Sequence, residues 1–516
     1  MRPTIEGRSS TQERIPPGWA TAAISGLVAG DGVFVDGDWV ESKDQDPGGE
    51  IRLVQLADVG DGEYRDRSER FLTADKAQRL HCTFLVPGDL LIARMPDPLG
   101  RACIFPGDSK VCVTVVDVCV IRTGADSVDH RWLMYVVNSP TIRAEVAGRQ
   151  SGSTRKRISR KNLASIRLPV LPVAEQRRIV AAIEKQFTRL DAGVAALKRA
   201  QARLKRYRAA VLNAAVEGGL TAEWRAANPP TEDAAALLKR ILVERRARWE
   251  TEPRAKGTDP AKARYEEPRG PDVAGLPELP KGWAWASVDQ LLTEPLCNGI
   301  SVKGSSEPPG VPALRLSAMT EGGFDYRDRR YIPLSSVAAA PLSIREGDFF
   351  VSRGNGSLRL VGRGTLAQTP PDLVVFPDTM IRLRVNDAGS LRRYIAIAWY
   401  GPSTRHQVER KARTTAGIYK ISQRDIESFA VSVPPSAEQQ QIVAEVERRL
   451  SVVTELESTV EANLKRAERL RQSILREAFA GRLVAQDPSD EPASVLLERG
   501  RTGRETSPSI PPRRGA

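Results

Sequence analysis

The sequence is poor in the residues that most often build metal and redox centres. In 516 residues it has five cysteines and three histidines. The cysteines are odd in number and no two are spaced as Cys-x-x-Cys, which argues against a disulfide framework and a zinc site. Histidines this far apart give no support to a Ser-His-Asp centre. These sparse residues are Cys82, Cys103, Cys112, Cys119, Cys297, His81, His130 and His406.

Long apolar runs are lacking as well. Residues 1–20 contain no apolar core behind a basic segment, which is the pattern of a secretory signal. No run approaches the roughly 20 apolar residues that a membrane-spanning helix needs. We therefore expect a cytoplasmic chain whose thiols stay reduced.

Acidic residues are the minority among the charged ones. The chain has 77 lysines and arginines against 64 aspartates and glutamates, a formal net charge of +13. This balance favours a polyanionic partner, although charge alone fits a basic protein from an arginine-rich genome equally well. The 41% hydrophobic content can build real cores, and the length suggests several domains.

The chain contains one pattern twice. The Ala-Glu-Gln segment at 174–176 recurs at 437–439, a shift of 438 − 175 = 263 residues. A similar shift relates two Pro-x-Gly-Trp openings that end at Trp19 and Trp283, which we interpret as core anchors. A period this long is not that of a solenoid. It predicts a duplicated module, a globular part followed by a long helix, with pseudo-two-fold character.

Each copy of the repeated motif begins a long segment with apolar residues in alternating steps of four and three. This spacing is typical of the a/d seam of a coiled coil. Roughly 40 residues of helix would be about 60 Å long. The seam residues are Ile183, Phe187, Leu190, Val194, Leu197, Leu204 and Val211 in the first copy, and Val446, Leu450, Val453, Val460, Leu464 and Ile474 in the second.

Polar residues interrupt each seam. Glu457 stands where the first helix has Val194, and Arg208 and Arg471 occupy matching positions. We expect the two helices to pair with each other antiparallel, because tandem copies are then related by a two-fold axis. The alternative is that each helix packs on its own globular part or on another protein.

Local signals indicate where the helices begin and end. Ser436 with Gln439 forms a plausible capping box at the second helix start. Gly218 and Gly481 are typical of helix C-termini. Between the halves, 231–254 has the pattern of a further amphipathic helix, and the Pro-, Gly- and charge-rich residues after it form a linker.

These patterns predict an α+β fold, with two mixed α/β domains separated by two long helices that form an intramolecular antiparallel coiled coil. The predicted boundaries are 1–165 for the first domain, 166–225 for the central long-helix region, 226–278 for a further helix and a charged Pro/Gly linker, 279–430 for the second domain, 431–499 for the distal long-helix region and 500–516 for a disordered tail.

Basic residues cluster at matching places in the two domains, just before each long-helix module and after a repeated Gly-Asp pair. Arginine binds phosphate through charge and guanine through two parallel hydrogen bonds. A solvated basic face explains any single residue, but matching clusters favour nucleic acid. The candidate DNA-binding residues are Arg94, Arg149, Arg155, Lys156, Arg157, Arg353, Arg359, Arg363, Arg405, Arg410, Lys411 and Arg413.

Catalytic motifs are weak or incomplete. Residues 228–231 read Asn-Pro-Pro-Thr and resemble the Asn-Pro-Pro-aromatic loop of adenine-N6 methyltransferases, but the aromatic residue is missing. No Gly-rich methyl-donor loop precedes them, so a chance turn is the simpler interpretation. Gly354-x-Gly356 completes neither a dinucleotide fingerprint nor a Walker loop. We predict no catalytic residue and no metal ligand in this chain.

The two helix starts carry a recognisable pattern. Residues 168–176 read Leu-Pro-Val-Leu-Pro-Val-Ala-Glu-Gln, and their helix ends near Gly-Gly-Leu-Thr-Ala-Glu-Trp at 218–224. The second copy runs from Val-Pro-Pro-Ser-Ala-Glu-Gln at 433–439 to Ala-Gly-Arg-Leu at 480–483. In this tandem arrangement the chain resembles, over nearly its whole length, the specificity subunit of type I restriction-modification enzymes. Val173 at the first helix start and the long charged linker depart modestly from that pattern.

The resemblance implies a sequence-specific, non-catalytic DNA-binding subunit. Its two domains would be target recognition domains, each of which reads one half of a bipartite, asymmetric double-stranded site. The helices would set the distance between half-sites and dock two modification (methyltransferase) subunits, with two restriction (motor/nuclease) subunits joining for cleavage. S-adenosylmethionine, ATP and Mg would be held by those partners, and this chain would bind no cofactor.

Two other interpretations stay open at this point. A coiled-coil adaptor or scaffold without DNA readout would explain the helices equally well. A self-contained adenine methyltransferase would need a methyl-donor pocket, of which the sequence gives no sign. Retention of duplex DNA distinguishes the first from a specificity subunit, and binding of S-adenosylmethionine by the isolated chain would favour the second.

Overall fold

The computed structural model describes residues 15–28, 31–96, 98–124, 127–152, 155–251, 265–320, 322–386, 390–415 and 417–506. The chain divides into two compact units, Met1–Lys198 with Glu461–Ala516, and Arg199–Val460. The division crosses both long helices, so each unit holds one globular domain and a segment of each helix. Over the described ranges, no helix has an apolar stretch long enough to cross a membrane.

The first unit is a mixed domain of short strands and helices. Its strands are β1 (Ala20–Ala23), β2 (Val33–Asp36), β3 (Ile51–Val54), β4 (Phe71–Leu72), β5 (Leu90–Ala93), β6 (Ala102–Ile104), β7 (Cys112–Thr114), β8 (Val118–Arg122) and β9 (Arg167–Val170). Its helices are α1 (Ala74–Arg79), α2 (His130–Val137), α3 (Pro140–Gly148), α4 (Arg160–Ala164), the first part of α5 (Val173–Val216), the last part of α13 (Ser436–Phe479) and α14 (Ala493–Thr506).

Three sheets organise this domain. The central one has the antiparallel order β2-β8-β5-β6, and a second has the order β4-β3-β7 with β3 and β7 parallel. The third pairs β1 with β9 antiparallel, with Ala20 opposite Val170. Because β9 completes a sheet with the first strand, the first domain extends to residue 170. The predicted boundary after residue 165 was therefore wrong by one strand.

The second unit repeats this plan with additions. Its strands are β10 (Ala284–Ser287), β11 (Cys297–Asn298), β12 (Val311–Leu314), β13 (Met319–Thr320), β14 (Gly323–Phe324), β15 (Arg329–Ile332), β16 (Phe349–Ser352), β17 (Gly354–Asn355), β18 (Gly364–Leu366), β19 (Met380–Leu383), β20 (Arg413–Thr415), β21 (Ile418–Lys420) and β22 (Ala430–Val433). Its helices are α6 (Ala222–Ala227), α7 (Ala234–Thr251), α8 (Val288–Leu291), α9 (Ser336–Ala339), α10 (Leu391–Ala398), α11 (Pro402–Lys411) and α12 (Gln423–Glu427).

The sheet orders identify the matching elements of the two copies. The order β11-β19-β16-β18 repeats β2-β8-β5-β6, and the pair β10-β22 repeats β1-β9. The pairs β12-β15 and β13-β14 and the sheet β17-β21-β20 complete the second unit. The second domain thus extends to Val433, three residues past the predicted boundary at 430.

The helix predicted between the halves has a counterpart near the end of the chain. The amide of Ala234, which opens α7, donates to the carbonyl of Gly282 at 2.9 Å, and the amide of Ala493, which opens α14, donates to that of Gly18 at 2.9 Å. Ala493 and Leu496 are buried in the core of the first unit. The prediction of a disordered tail from residue 500 was therefore wrong for 500–506, and 507–516 lie outside the described residues.

The two long helices have equal length and the predicted spacing. Helices α5 and α13 each contain 44 residues, and their first residues differ by 436 − 173 = 263. Each is followed by a glycine in the left-handed region, Gly218 at φ 75° and Gly481 at φ 73°, the conformation that ends helices most easily.

The predicted capping box at Ser436 does not form, because its Oγ has no hydrogen-bond partner among the described residues. Gln439 instead turns back and donates from Nε2 to the carbonyl of Pro434 at 2.8 Å. Gln176 does the same to Leu171 at 2.8 Å in the first copy. The repeated glutamine therefore ties each helix start to the strand before it, and capping is not its role.

The two helices run antiparallel within each unit. In the second unit, Arg208 of α5 donates to Glu457 of α13 at 2.9 Å, while Thr221, thirteen residues later, donates to Glu438 at 2.6 Å. In the first unit, Arg471 of α13 pairs with Asp191 of α5. The thirteen seam residues named above are all buried or half-buried.

The helix segments also pack on the globular domain of their unit. Ile183 from α5 and Ile474 from α13 share a core with the fully buried Trp132. Val211 and Val446 share a core with other buried side chains of the second domain, including Tyr394. The helices therefore contact both each other and a domain, so the two packing modes considered as alternatives occur together.

Arg471 offers a test of how much a polar residue in the helix seam contributes to local stability. Its guanidinium lies 4.1 Å from the centroid of the Phe187 ring, which is 7% exposed. A cation–π contact contributes about 0.5–2 kcal/mol and an exposed ion pair less than about 1 kcal/mol. We expect Arg471→Ala to accelerate amide exchange around Phe187 roughly five-fold, about 1 kcal/mol of local stability. Exchange that matches the control Arg466→Ala, an exposed position on the same helix, would contradict this.

Candidate nucleic-acid interface

The repeated Gly-Asp pair anchors the central strand of each domain. Gly88 and Gly347 adopt φ 95° and 80°, and the aspartate that follows each one is buried. Asp89 accepts from Arg122 Nε at 2.7 Å, and Asp348 accepts from Arg384 Nε at 2.7 Å. A buried ion pair at the same place therefore fixes the start of β5 and β16, and hence where the chain emerges at Arg94 and Arg353.

The two arginines after these strands have different surroundings. Arg94 is 4% exposed, donates from Nε to the Ile158 carbonyl at 3.0 Å, and pairs with Asp36 at 2.5 Å. Arg353 is exposed, although its carbonyl receives the amide of Ile421 just as Arg94 receives that of Ile158, at 3.0 and 3.1 Å. Arg94 is thus a structural residue with no free face for DNA, which corrects its candidacy.

A basic hairpin precedes the long-helix module in the first unit. Ser151 and Arg157 exchange both backbone hydrogen bonds, at 2.8 and 2.9 Å, and Gly152 turns the chain at φ 97°. The side chains of Arg155, Lys156 and Arg157 are exposed. This bridge places three adjacent cations at the end of a braced loop.

Arg149, from the same cluster, supports that loop. It is half-buried and donates to Ser165 at 2.7 Å and to Glu145 at 2.5 Å. Its guanidinium is therefore engaged within the domain, so we assign it a supporting role and leave the exposed cations as the candidates for DNA contact.

The second unit has a hairpin at the matching position. Strand β21 pairs with β20, with Arg413 opposite Lys420, and its other edge pairs with β17, with Gly354 opposite Lys420. Neighbouring strands lie about 4.8 Å apart. Arg353, Arg413 and Lys420 are therefore neighbours on one exposed ribbon, and Lys420 belongs to the same basic cluster of the sequence as Arg413.

The remaining candidates of the second unit also divide into side chains that are engaged within the domain and side chains that are exposed. Arg405 donates to the carbonyls of Val361 and Leu358 at 2.8 and 2.6 Å, and Lys411 donates to Ser428 at 2.8 Å. Both side chains are committed to the domain. Arg410 is exposed, and Arg359 and Arg363 lie on a loop that meets α5.

A duplicated buried contact attaches each domain to the start of its long helix. Trp19 donates from its indole Nε1 to Glu175 at 2.8 Å, and Trp283 donates likewise to Glu438 at 2.8 Å. Glu438 also accepts from Thr221 at 2.6 Å and from Arg225 at 2.7 Å. Both tryptophans thus serve as anchors, as their interpretation from the sequence proposed.

Glu175 lacks the extra partners that Glu438 has. It is 1% exposed, and its Oε1 has no hydrogen-bond partner among the described residues. Burial raises the pKa of this carboxyl, against the lowering effect of the Trp19 hydrogen bond. The two copies therefore share the tryptophan–glutamate contact but differ in how well the carboxylate is satisfied.

The cysteines and acidic residues offer little for chemistry. All five cysteines are free thiols, and burial raises the pKa of Cys103 to about 12 and of Cys112 to about 11. In the described part of the chain, no group of three His, Cys, Asp or Glu side chains could hold a metal ion. The residues that stand out at the surface are cations on braced loops, an arrangement that suits phosphate and base contacts.

Comparisons with known proteins show which proteins the chain is similar to. No family model matches it. It is 29% identical over 385 residues to the type I restriction enzyme EcoKI specificity subunit of Escherichia coli (strain K12), which covers 73% of this chain and 72% of that protein. It is 25% identical over 388 residues to the StySPI specificity subunit of Salmonella potsdam, which covers 74% and 73%.

Solved structures share the fold. A chain from the structure described as "Structural basis underlying complex assembly and conformational transition of the type I R-M system" matches with a TM-score of 0.60 at 18% identity. The match covers 91% of this chain and 99% of that one. Two mixed domains, each joined to antiparallel segments of two long helices, are thus an architecture found in type I restriction-modification systems.

The fold and the relatives together indicate one class of protein, a chain of two domains and a helix pair that is similar to the specificity subunits of type I restriction enzymes. The similarity of the chain to type I restriction enzyme specificity subunits supports the resemblance seen in its sequence.

Proposed function

We propose that this chain binds double-stranded DNA and recognises a bipartite, asymmetric site, as the specificity subunit of a type I restriction-modification complex. Each globular domain reads one half-site. Partner subunits then methylate adenine or cleave the DNA. The observation that carries this proposal is the pair of basic hairpins, 151–157 and 413–420, which occupy matching positions in two domains of unlike loop structure.

The partners follow from the same proposal. Two modification subunits and two restriction subunits assemble with the chain, and S-adenosylmethionine, ATP and Mg are bound by them. The chain works in the cytoplasm, where its five free thiols stay reduced. The basic hairpins favour this function over that of an adaptor without DNA readout, since such an adaptor has no need of exposed cations at matching positions.

The helices offer the sharpest test, because their length sets the distance between the half-sites. A heptad inserted between Lys198 and Arg199 and another between Val460 and Glu461 would lengthen both helices where the two units divide. Seven residues add about 10 Å of helix, which is about three base pairs of duplex at 3.4 Å each. We expect the gap of the methylated site to change by about three base pairs, with both half-sites unchanged.

Adenine methylation mapped across the genome of a host that carries the chain and its partner subunits measures this directly. A five-residue insertion at the same points is the matched control, because it turns the apolar seam by about 140° away from its partner and should abolish the modification. Methylation of the original site by the heptad variant would contradict the proposal that helix length sets the gap between the half-sites. The absence of any bipartite motif that depends on this chain would contradict the function itself.

A further inference from the structure

A cationic groove of about 560 Å³ lies in the second unit, between α5 and the recognition domain. Its lining includes the buried Trp399 and Val408, which are 3% and 1% exposed, and the more accessible Leu360 and Tyr400, which are 36% exposed each. Its charged lining consists of Lys205, Arg208, Arg359, Arg363, Arg405 and Glu457. Arg208 is paired with Glu457 at 2.9 Å and Arg405 with Glu409 at 2.8 Å, which leaves Lys205, Arg359 and Arg363 as the cations available to an anion.

The loop that carries Arg359 and Arg363 is held rigidly. Its carbonyls at positions 358, 360, 361 and 362 all accept hydrogen bonds from side chains of the domain. The bonds run from Arg405 to Leu358 and Val361 at 2.6 and 2.8 Å, from Ser352 to Leu360 at 2.8 Å and from Trp399 to Gly362 at 2.7 Å. With its acceptors turned inward, the loop offers its two cations without having to order on binding.

The helix on the other side of the groove is cationic along half its length. From residue 192 to residue 216, α5 has no acidic residue and six basic ones, at 198, 199, 203, 205, 206 and 208. Like charges three or four positions apart destabilise a helix by a few tenths of a kcal/mol per pair. Lys205 projects from this stretch into the groove, and Glu457 is already paired with Arg208 at 2.9 Å. No carboxylate of the groove lining is therefore left to balance the charge of Lys205.

The matching region of the first unit is built differently. Arg101 is the counterpart of Arg363, since 363 − 101 = 262, but it is 5% exposed and donates to the carbonyls of Val59 and Leu56 at 2.6 and 2.8 Å. At the position of Lys205 the other helix has Glu468, because 468 − 205 = 263. The cationic groove therefore occurs in the second copy and is not a consequence of the architecture that the two copies share.

We propose that this groove binds the phosphodiester backbone of duplex DNA, so that α5 itself contacts DNA beside the second recognition domain. The inference rests on the proposed function. It assigns the candidates Arg359 and Arg363 to phosphate, with no sequence information, and adds Lys205 from the helix as a third phosphate contact. Leu360 and Tyr400 also line the groove, but an apolar protein surface would leave Lys205, Arg359 and Arg363 without counterions. A duplex backbone supplies the repeated negative charges that such a lining requires.

Salt titration of DNA binding by the full chain tests the proposal. The probe is a 40-base-pair duplex of mixed sequence, and binding is followed by fluorescence anisotropy across salt concentrations. The double variant Arg359→Ala/Arg363→Ala should reduce the slope of log K against log salt by about 1.8, about 0.9 for each lost phosphate contact. The control Lys239→Ala/Arg248→Ala removes two exposed cations from α7 of the same unit and should leave the slope unchanged.

A second measurement does not depend on the variants. Lys205 should be protected from acetylation when the duplex is bound, while Lys239 should react as in the free chain. An unchanged slope in the groove variant, or an equal fall in the control, overturns the groove as a phosphate site. So does a groove variant that keeps its DNA slope but no longer retains a partner subunit, since the ligand would then be a protein. If the unaltered chain holds no duplex at low salt, it is the proposed function that fails.

Discussion

Replacing Glu438 with glutamine should destabilise the second unit by about 3 kcal/mol, because breaking a buried ion pair leaves its partner charge unsatisfied. Glu438 is 2% exposed and accepts from Trp283, Thr221 and Arg225, whose side chain is 19% exposed. The amide of glutamine would point hydrogens at one of these donors. Amide exchange around Trp283 should accelerate on the order of a hundred-fold.

The same substitution at the matching position is the control. Glu175 receives only the Trp19 hydrogen bond and keeps one buried oxygen without a described partner, so Glu175→Gln removes a poorly satisfied charge and retains an acceptor for Trp19. We expect a change within about 1 kcal/mol, with stabilisation as the favoured sign. Equal destabilisation by the two substitutions would show that the extra bonds of Glu438 contribute nothing.

The Glu175→Gln substitution also has an expected dependence on pH. Burial raises the pKa of Glu175 in the folded chain above its unfolded value. Its contribution to stability is therefore fully present below the unfolded pKa, about 4.3, and is lost as the pH rises through the folded pKa. Relative to the unaltered chain, Glu175→Gln should gain stability between about pH 4 and neutrality. A difference that is flat with pH would contradict the burial of a charged group at this position.

Neutralising the hairpin of the first domain should greatly weaken DNA binding. The triple variant Arg155→Ala/Lys156→Ala/Arg157→Ala removes three exposed cations from a loop whose backbone bridge joins Ser151 to Arg157. If each contacts one phosphate, the slope of log K against log salt should fall by about 2.7. Anisotropy titrations with duplex DNA measure this slope.

Two comparisons make the hairpin result specific. The control Lys465→Ala/Arg466→Ala/Arg469→Ala removes three exposed cations from α13 and should change the slope by less than about one contact. Arg413→Ala/Lys420→Ala tests the second hairpin, and we expect its effect on recognition to fall on the other half-site. If the control weakens binding as much as the hairpin variant does, net charge and not the hairpin is responsible.

The helices could be predicted closely because their signals are local. The apolar period, the glycines that follow and the constant shift of 263 predicted two helices of roughly 40 residues. The structure has 44 residues in each of α5 and α13, with the seam side chains buried or half-buried. The interruption by Glu457 was visible in the sequence, but its partner Arg208 lies 249 residues away in the chain. Only the antiparallel pairing brings the two together.

The sequence was enough to predict where basic residues cluster in the candidate interface, but not which of these residues are exposed and which are buried. Arg94 and Arg353 follow the same Gly-Asp strand, yet one is buried against Ile158 and Asp36 and the other is exposed. Nothing in the local sequence distinguishes them, because burial depends on which distant segment covers the guanidinium. The acid-free stretch of α5 was a signal that could have pointed to Lys205 from the sequence alone.

Periodicity and repeated motifs depend only on neighbours along the chain, so they were enough to predict the duplication, the two long helices and the family resemblance. Only the tertiary structure decided which cations are exposed and which are engaged within a domain. It decided too that α14 extends to Thr506, past residue 500, where the composition suggested disorder. It also decided that Gln176 and Gln439 bond back to Leu171 and Pro434, where the capping pattern had pointed to a different bond. Such outcomes depend on burial and on hydrogen bonds between segments far apart in the chain, which no local pattern encodes.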